Sequence, residues 1–256
     1  MIDLHTHLLP GVDDGAASDE IALGTLARFA ADGVRLVACT PHLRASHARR
    51  MSPDALADRL GAFQRRVPPG ISVMRGWEIM LDEPGVDLTG SHLSLGGSSA
   101  VLVEFPRGAI PVQSTRELTR LSMSGLVPVL AHPERYQGCT PETVRSWRAA
   151  GAVMQVDAMM LLGTGRGCDV ARALLAEGLV DLLASDNHGD TRALAPAREW
   201  LEAQGATEHG ELLTRTNPER LLRNERMLPV PPLRLAASPL ARLRAWVSTR
   251  TRPTTT

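Results

Sequence analysis

Seven short apolar runs separated by helical stretches constrain this chain more than any other feature. The runs cover residues 1–5, 35–40, 72–77, 100–104, 127–131, 153–156 and 180–184, and several are nearly continuous in Val, Leu and Ile. Parallel strands buried on both faces have this composition, and their alternation with helices is the pattern of an α/β fold. The helical stretches have recognisable ends. Ser18 stands where it can cap a helix whose apolar residues fall at Ile21, Leu23, Leu26, Ala27 and Ala30, ending near Gly33. Others are expected from Pro53 to before Pro68, over 115–125, 141–151 and 168–178, and as a final pair over 195–204 and 208–215. At 256 residues the chain is long enough for one barrel or one doubly wound domain. Residues 1–227 are read as that single domain. Residues 228–256, rich in Pro, Arg and Thr, are read as a partly disordered extension with room for a short amphipathic helix near 240–247.

Composition narrows the function. Twenty-eight basic residues balance 28 acidic ones, and aromatics make up only 3%, so neither bulk attraction to phosphate backbones nor base stacking is favoured. No nucleic-acid partner is expected. No apolar run of about 18 residues occurs, and no basic, apolar leader stands at the start, so no transmembrane segment is expected and the cytoplasm is the expected location. Every basic residue is Arg, which leaves guanidinium as the only strong cation to grip a phosphate. Three cysteines are too few for a disulfide framework or a zinc ribbon. Cys139 to Arg145 formally matches the Cys-x5-Arg loop of thiol phosphatases. Here, however, Thr140 reads as a helix cap, Pro141 as the first helical residue, and Glu142 would repel phosphate. Cys39 reads as a small buried apolar residue, and His47, His92 and His209 as surface residues.

The chemistry is carried by what stands at the strand ends. In Asp3-Leu4-His5-Thr6-His7 the two imidazoles sit two apart and project together from a strand, a good site for a divalent transition metal. Alone, His-x-His is a weak signal. Recurrence makes it strong: the second run leads to His42, the third to Glu78, the fourth to Glu104, the fifth to His132 and the seventh to Asp186 and His188. Asp13 and Asp14 follow the first strand. In parallel barrels the C-terminal strand ends converge on one rim. A Glu after Val101-Leu102-Val103 would be costly to bury without a partner, and so many such residues are hard to explain by packing.

These motifs resemble the polymerase-and-histidinol-phosphatase (PHP) superfamily, and specifically its bacterial capsule-type, CpsB/CapC-like protein-tyrosine phosphatases. The resemblance rests on residues 1–15, Thr40-Pro41-His42, Glu78, Val103-Glu104-Phe105, 131–136 and 184–188, and runs to about Arg223. It implies a distorted (β/α)7 TIM-like barrel with two or three divalent metal ions at the C-terminal strand ends, Mn expected and Fe, Zn or Co open. By position, His5, His7, Glu78 and Asp186 would hold one ion. Glu78 would bridge to a second held by Glu104 and His132, and Asp14, His42 and His188 would hold the third. Arg135 and Arg192 would grip the phosphate while a metal-bridging hydroxide attacks it. The implied substrate is phosphotyrosine on a protein, such as the C-terminal tail of a bacterial tyrosine kinase in capsule or exopolysaccharide biosynthesis. The alternatives are a small-molecule phosphatase such as histidinol-phosphate phosphatase, or a non-catalytic barrel that binds phosphorylated ligands. Against the family's pattern, residues 157–162 read Asp-Ala-Met-Met-Leu-Leu, so Met159 and Met160 are expected as an apolar wall of the substrate mouth.

Overall fold

The computed structural model describes residues 1–52, 56–106 and 109–235. The expected helix start at Pro53, the helix near 240–247 and residues 236–256 of the extension lie outside them.

Parallel strands form two sheets. In the first, β1 (Ile2–Thr6), β2 (Leu36–Cys39) and β4 (Ser72–Arg75) stand in the order β1-β2-β4. In the second, β3 (His42–Arg44), β5 (Glu78–Met80), β6 (Ala100–Glu104), β7 (Val127–Ala131), β8 (Val153–Asp157) and β9 (Leu182–Ala184) pair in that order. All seven expected strands are present. The two additional ones, β3 and β5, resume the lines of β2 and β4 after a bend at Pro41, which has no N–H to give the ladder, and at Gly76-Trp77. A Cβ on Gly76 would lie 2.7 Å from Leu95 and 2.9 Å from Thr40, so the bend needs glycine. Hydrogen bonds cross both bends, from Gly76 N to Cys39 O (3.0 Å) and from Glu78 N to Pro41 O (3.1 Å). The result is a register in which His42 stands beside Glu78, and Met80 beside Glu104.

Helices cover the strands: α1 (Asp19–Ala31), α2 (Ala45–Ala48), α3 (Ala57–Gln64), α4 (Ser114–Met123), α5 (Pro141–Ala149), α6 (Arg166–Ala176), α7 (Ala195–Ala203), α8 (Thr207–Glu211) and α9 (Asn217–Leu222). The expected caps are in place. Ser18 accepts from Ile21 N at the start of α1, and Thr140 accepts from Thr143 N ahead of Pro141 in α5. Alternation along the strands divides the core. Val101, Val103, Leu130, Met154 and Val156 face the helices, where they meet the layer of Phe29, Leu118, Leu121 and Trp147. Their neighbours Ala100, Leu102, Val129, Ala131 and Val153 form a second cluster with Leu4, Ala38 and Leu182, and α9 adds Leu221 to it. Both strand faces are therefore apolar until the C-terminal ends.

The first residues of the extension pack on this body. Val230 is buried, and a Cβ on Gly178 would come within 2.7 Å of its carbonyl. His209, expected at the surface, is buried instead and pairs with Pro231 O at 3.0 Å. Asn217 is the main tie: its amide donates to Asp181 O and Leu228 O, and its carbonyl accepts from Leu228 N. Asn217→Ala leaves buried partners of that tie unpaired and is expected to cost about 1–3 kcal/mol, read as a lowered urea midpoint with an unchanged m-value.

Candidate metal centre

Five imidazoles and four carboxylates meet where the strands end. His5 and His7 come from β1 and the residue beyond it, and their Nε2 atoms lie 3.2 Å apart. Each Nε2 is 3.3 Å from Asp186 Oδ1, with Glu78 Oε2 3.4 Å from His5 and 3.3 Å from His7. His132 Nε2 lies 2.8 Å from Glu78 Oε1 and 3.9 Å from Glu104 Oε2. His42 places one ring nitrogen 2.8 Å from Glu78 Oε2 and the other 3.3 Å from Asp14 Oδ1, and His188 Nε2 is 3.6 Å from the same Asp14 oxygen. The structure thus brings together all nine residues expected as ligands. Their donor atoms form four overlapping groups, His7/Asp14/His42/His188, His5/Glu78/His132, His5/His7/Asp186 and His42/Glu78/Glu104, each within 4.8 Å.

The spacing fits divalent ions. A cation with ligands about 2.1 Å away has neighbouring ligands roughly 3.0–3.4 Å apart, and that is the spacing around His5, His7, Glu78 and Asp186. Ring tautomers agree. His5 Nδ1 donates to Gln155 Oε1 (2.8 Å) and His7 Nδ1 to Asp13 Oδ2 (2.6 Å), which leaves both Nε2 lone pairs facing the cluster. Glu78 Oε2 is buried and faces the ring nitrogens of His5, His7 and His42 at once, as a shared ligand oxygen would. Depth is graded: His5, His7 and Glu78 are almost fully enclosed, whereas the side chain of Asp14 is 62% exposed and that of His42 is 36% exposed.

Two of the candidate ligands sit in strained backbone. His132 (φ 37°) and Asp186 (φ 48°) adopt the left-handed conformation immediately after β7 and one residue beyond Ser185 after β9. This costs non-glycine residues about 1–2 kcal/mol each. Ladder bonds hold them there: His132 N donates to Gln155 O (2.7 Å) and Asp186 N to His5 O (3.0 Å). The buried carboxyl of Asp3 adds another tie, accepting from Ser185 N at 3.1 Å.

A cavity of about 340 Å³ opens over the cluster, lined by His42, Glu78, Glu104, Phe105, His132, Arg135, Tyr136, Asp186 and His188. Arg135 Nη2 reaches Asp186 Oδ2 at 2.7 Å, and Arg192 Nη1 reaches the same oxygen at 3.1 Å. Arg192 is not among the lining residues, and Asp190 engages its Nε and Nη2. The expected wall of Met159 and Met160 does not line the cavity. They lie in a tight turn, Ala158–Leu161, with Met160 Sδ against Cys168, and Phe105 and Tyr136 take the wall's place. Tyr136 is fixed there, its hydroxyl donating to Ala131 O and accepting from Phe105 N. Cys139 is buried with its thiol pushed up to about 12 by burial, so it supplies no thiolate at neutral pH.

The sequence reading did not single out Asp13, Gln155 or Asp157 as part of the site. The resemblance points to Asp14, the neighbour of Asp13, yet Asp13 sets the His7 tautomer. Gln155 and Asp157 share a face of β8, the strand that carried no recognised ligand. Polar residues at alternate positions of an otherwise apolar strand were the available signal.

Fold and site together define the class: an α/β protein of parallel strands with a polynuclear candidate metal centre at the strand ends. The chain belongs to the capsular polysaccharide synthesis family CpsB/CapC, whose family model matches residues 1–223. It is 31% identical over 247 residues to the tyrosine-protein phosphatase YwqE of Bacillus subtilis, covering 91% of this chain and 95% of that relative. It is 26% identical over 243 residues to the tyrosine-protein phosphatase CpsB of Streptococcus pneumoniae, covering 88% and 99%. A crystal structure from work on these two unique metal-dependent tyrosine phosphatases superposes with a TM-score of 0.78 at 26% identity, over 92% of this chain and 100% of that one.

Burial lowers the His5 pKa, but Glu78 and Asp186 outweigh it and raise the ring to about 8; His7 is raised well above its ordinary value by Asp13, Asp186 and Glu78 against the same burial. Ligation needs both rings neutral, so an incoming cation displaces protons whenever the pH lies below these values. Metal affinity should therefore fall as pH drops from 8 to 6, by about tenfold per unit for each proton displaced. Chelator-competition titrations at pH 6, 7 and 8 would read this, and a pH-independent affinity would place the cation away from His5 and His7.

Proposed function

We propose that this chain is a metal-dependent protein-tyrosine phosphatase. The observation that carries the reading is the convergence of nine metal-type donors beneath a cavity that also presents Arg135 and two aromatic side chains. Membership of the family and the two tyrosine phosphatase relatives favour a phosphate monoester on tyrosine over other phosphoesters.

The ligand set suits two or three divalent ions. Asp14, Glu78, Glu104 and Asp186 carry −4 with the five imidazoles neutral, so two such ions bring the set to zero and three to +2. The second value complements a phosphate dianion. We assign His5, His7, Glu78 and Asp186 to one ion, with Glu78 shared to a second beside Glu104 and His132. Asp14, His42 and His188 take the third. Mixed imidazole and carboxylate ligation suits Mn or Fe better than Mg or Ca, and manganese is the proposed metal. Bound there, such ions would supply Lewis-acid stabilisation of phosphoryl oxygens and lower the pKa of water.

The chain's own residues do the rest. Arg135 offers its Nε and Nη1 N–H groups to phosphoryl oxygens, and Arg192, held by Asp190 and Asp186, adds positive charge behind it. Phe105 and Tyr136 give an aryl leaving group an apolar flank. The two sheets read as one distorted barrel of seven staves. The ladder continues across both bends, and Thr6 bridges to Asn187 on the far side of β9. A phosphotyrosine-bearing tail of a bacterial tyrosine kinase in capsule assembly is the proposed partner.

Asp186→Asn or His132→Ala should lower p-nitrophenyl phosphate hydrolysis by at least about a hundredfold with the far-UV spectrum unchanged. Chelation should abolish activity and Mn²⁺ restore it, while a thiol alkylator leaves it untouched because Cys139 is buried. Phosphotyrosine peptide should be preferred over phosphoserine peptide and histidinol phosphate. Preference for histidinol phosphate would replace this reading with a metabolite phosphatase.

A further inference from the structure

We propose that Asp157 is a positioning residue that holds the Arg135 guanidinium ready for the phosphate. This rests on the phosphatase reading for its substrate, but on separate geometry for its substance.

Asp157 is 2% exposed and is held through both carboxylate oxygens and its backbone N–H. Its Oδ2 lies 2.5 Å from Arg135 Nη2, and its Oδ1 accepts from Met159 N at 2.9 Å. Its own N–H donates to Glu134 Oε1 at 3.0 Å, so the residue beside Arg135 anchors the backbone of Arg135's partner. The same Arg135 nitrogen faces Asp186 Oδ2 at 2.7 Å. One nitrogen of the guanidinium, the Nη2 common to both of its forks, is thus clamped between two carboxylates. Among the described residues no hydrogen bond uses its Nε or Nη1, which leaves them to a ligand. Arg135 lines the cavity and Asp157 does not, so Asp157 can influence a bound phosphate only through Arg135.

The clamp has a physical purpose. Ordering a free arginine side chain costs rotamer entropy, and a phosphate that had to order it would bind more weakly. Asp186 alone is a poor anchor, because its other oxygen faces His5 and His7 and it already serves Arg192. A second, buried carboxylate fixes the arginine without drawing on a proposed metal ligand. The sequence context is Val156-Asp157-Ala158 at the end of β8, where an acid has no role in packing.

The test is a double-mutant cycle on the manganese-loaded protein, read as competitive inhibition by inorganic phosphate and as KM and kcat for p-nitrophenyl phosphate. Asp157→Ala should weaken phosphate inhibition and raise KM by about tenfold, with kcat changed by less than about threefold. Asp157→Asn keeps the shape and the acceptor for Met159 N and should fall between. In an Arg135→Ala background, Asp157→Ala should change phosphate inhibition by less than about twofold. A full effect of Asp157→Ala persisting without Arg135, or no effect with it, overturns the inference. Metal content and urea midpoint identify a misfolded alanine variant, in which case the Asn variant completes the cycle. Phosphate binding by calorimetry closes the same cycle without turnover. A wild type that binds phosphate through Arg135 but hydrolyses nothing would remove the phosphatase reading and still score this one. Absence of any phosphate binding would remove both.

Discussion

Burying carboxylates where strands end is the constraint on which this structure depends. Glu78 and Asp186 are withdrawn from water among imidazoles, and burial raises a carboxyl pKa. It does not prevail here: His5 and its neighbours hold both groups well below the ordinary carboxylate range. The cost of desolvation is met by opposite charge at close range, supplied in the bare protein by protons on His5 and His7 and, in the reading favoured here, by divalent ions when loaded. Every other feature of the rim follows from holding those charges together. The bends at Pro41 and Gly76 carry His42 and Glu78 into register. The left-handed residues His132 and Asp186 turn their side chains inward. The ladder bonds from Gln155 and His5 keep that strain in place.

Beneath the donors lies a layer that aims their nitrogens and oxygens at one point. A histidine is useful to a cation through one nitrogen only if the other is committed, and Asp13 and Gln155 make that commitment for His7 and His5. Asp3 performs the backbone equivalent, tying β1 to the loop after β9 through Ser185 N. These residues do not line the cavity over the cluster, yet the orientation of His5 and His7 depends on them.

Much of this was legible in the sequence, for a physical reason. Strands buried on both faces must be apolar along their whole length, so seven runs stood out. The polar residues that follow them stood out equally. Eight of the nine candidate ligands interrupt an apolar run or follow one closely, and Asp14 is the choice that the family resemblance implies by position. Less legible were the features that depend on pairing between distant strands. The short strands His42–Arg44 and Glu78–Met80 are too brief to have a pattern, and exist because their neighbours offer a ladder. Asp13 and Asp14 are indistinguishable by composition, and only the fold decides which faces His7. His209 looked like any surface histidine because its partner, Pro231 O, is 22 residues away on a segment with no regular structure. Met159 and Met160 are expected at the mouth because they depart from the family's pattern over residues 157–162. The turn starting at Asp157 takes them to Cys168 instead, and Asp157 faces Arg135.

Asp186 joins the two halves of the site on one carboxylate. Its Oδ1 faces the imidazoles of His5 and His7, and its Oδ2 faces the guanidinium groups of Arg135 and Arg192. Anything that draws electron density towards one oxygen weakens the other's hold, so occupancy on the imidazole side and arginine placement on the cavity side are coupled through a single group. A chain whose only strong cation is arginine can exploit this, because guanidinium stays charged beside a carboxylate and keeps further N–H groups for a third partner. The same sharing explains why a second carboxylate beside Arg135 matters. Without it, the geometry of the phosphate-facing edge would change each time the charge on Asp186 was redistributed. With it, the arginine is referenced to the protein rather than to the contents of the cluster.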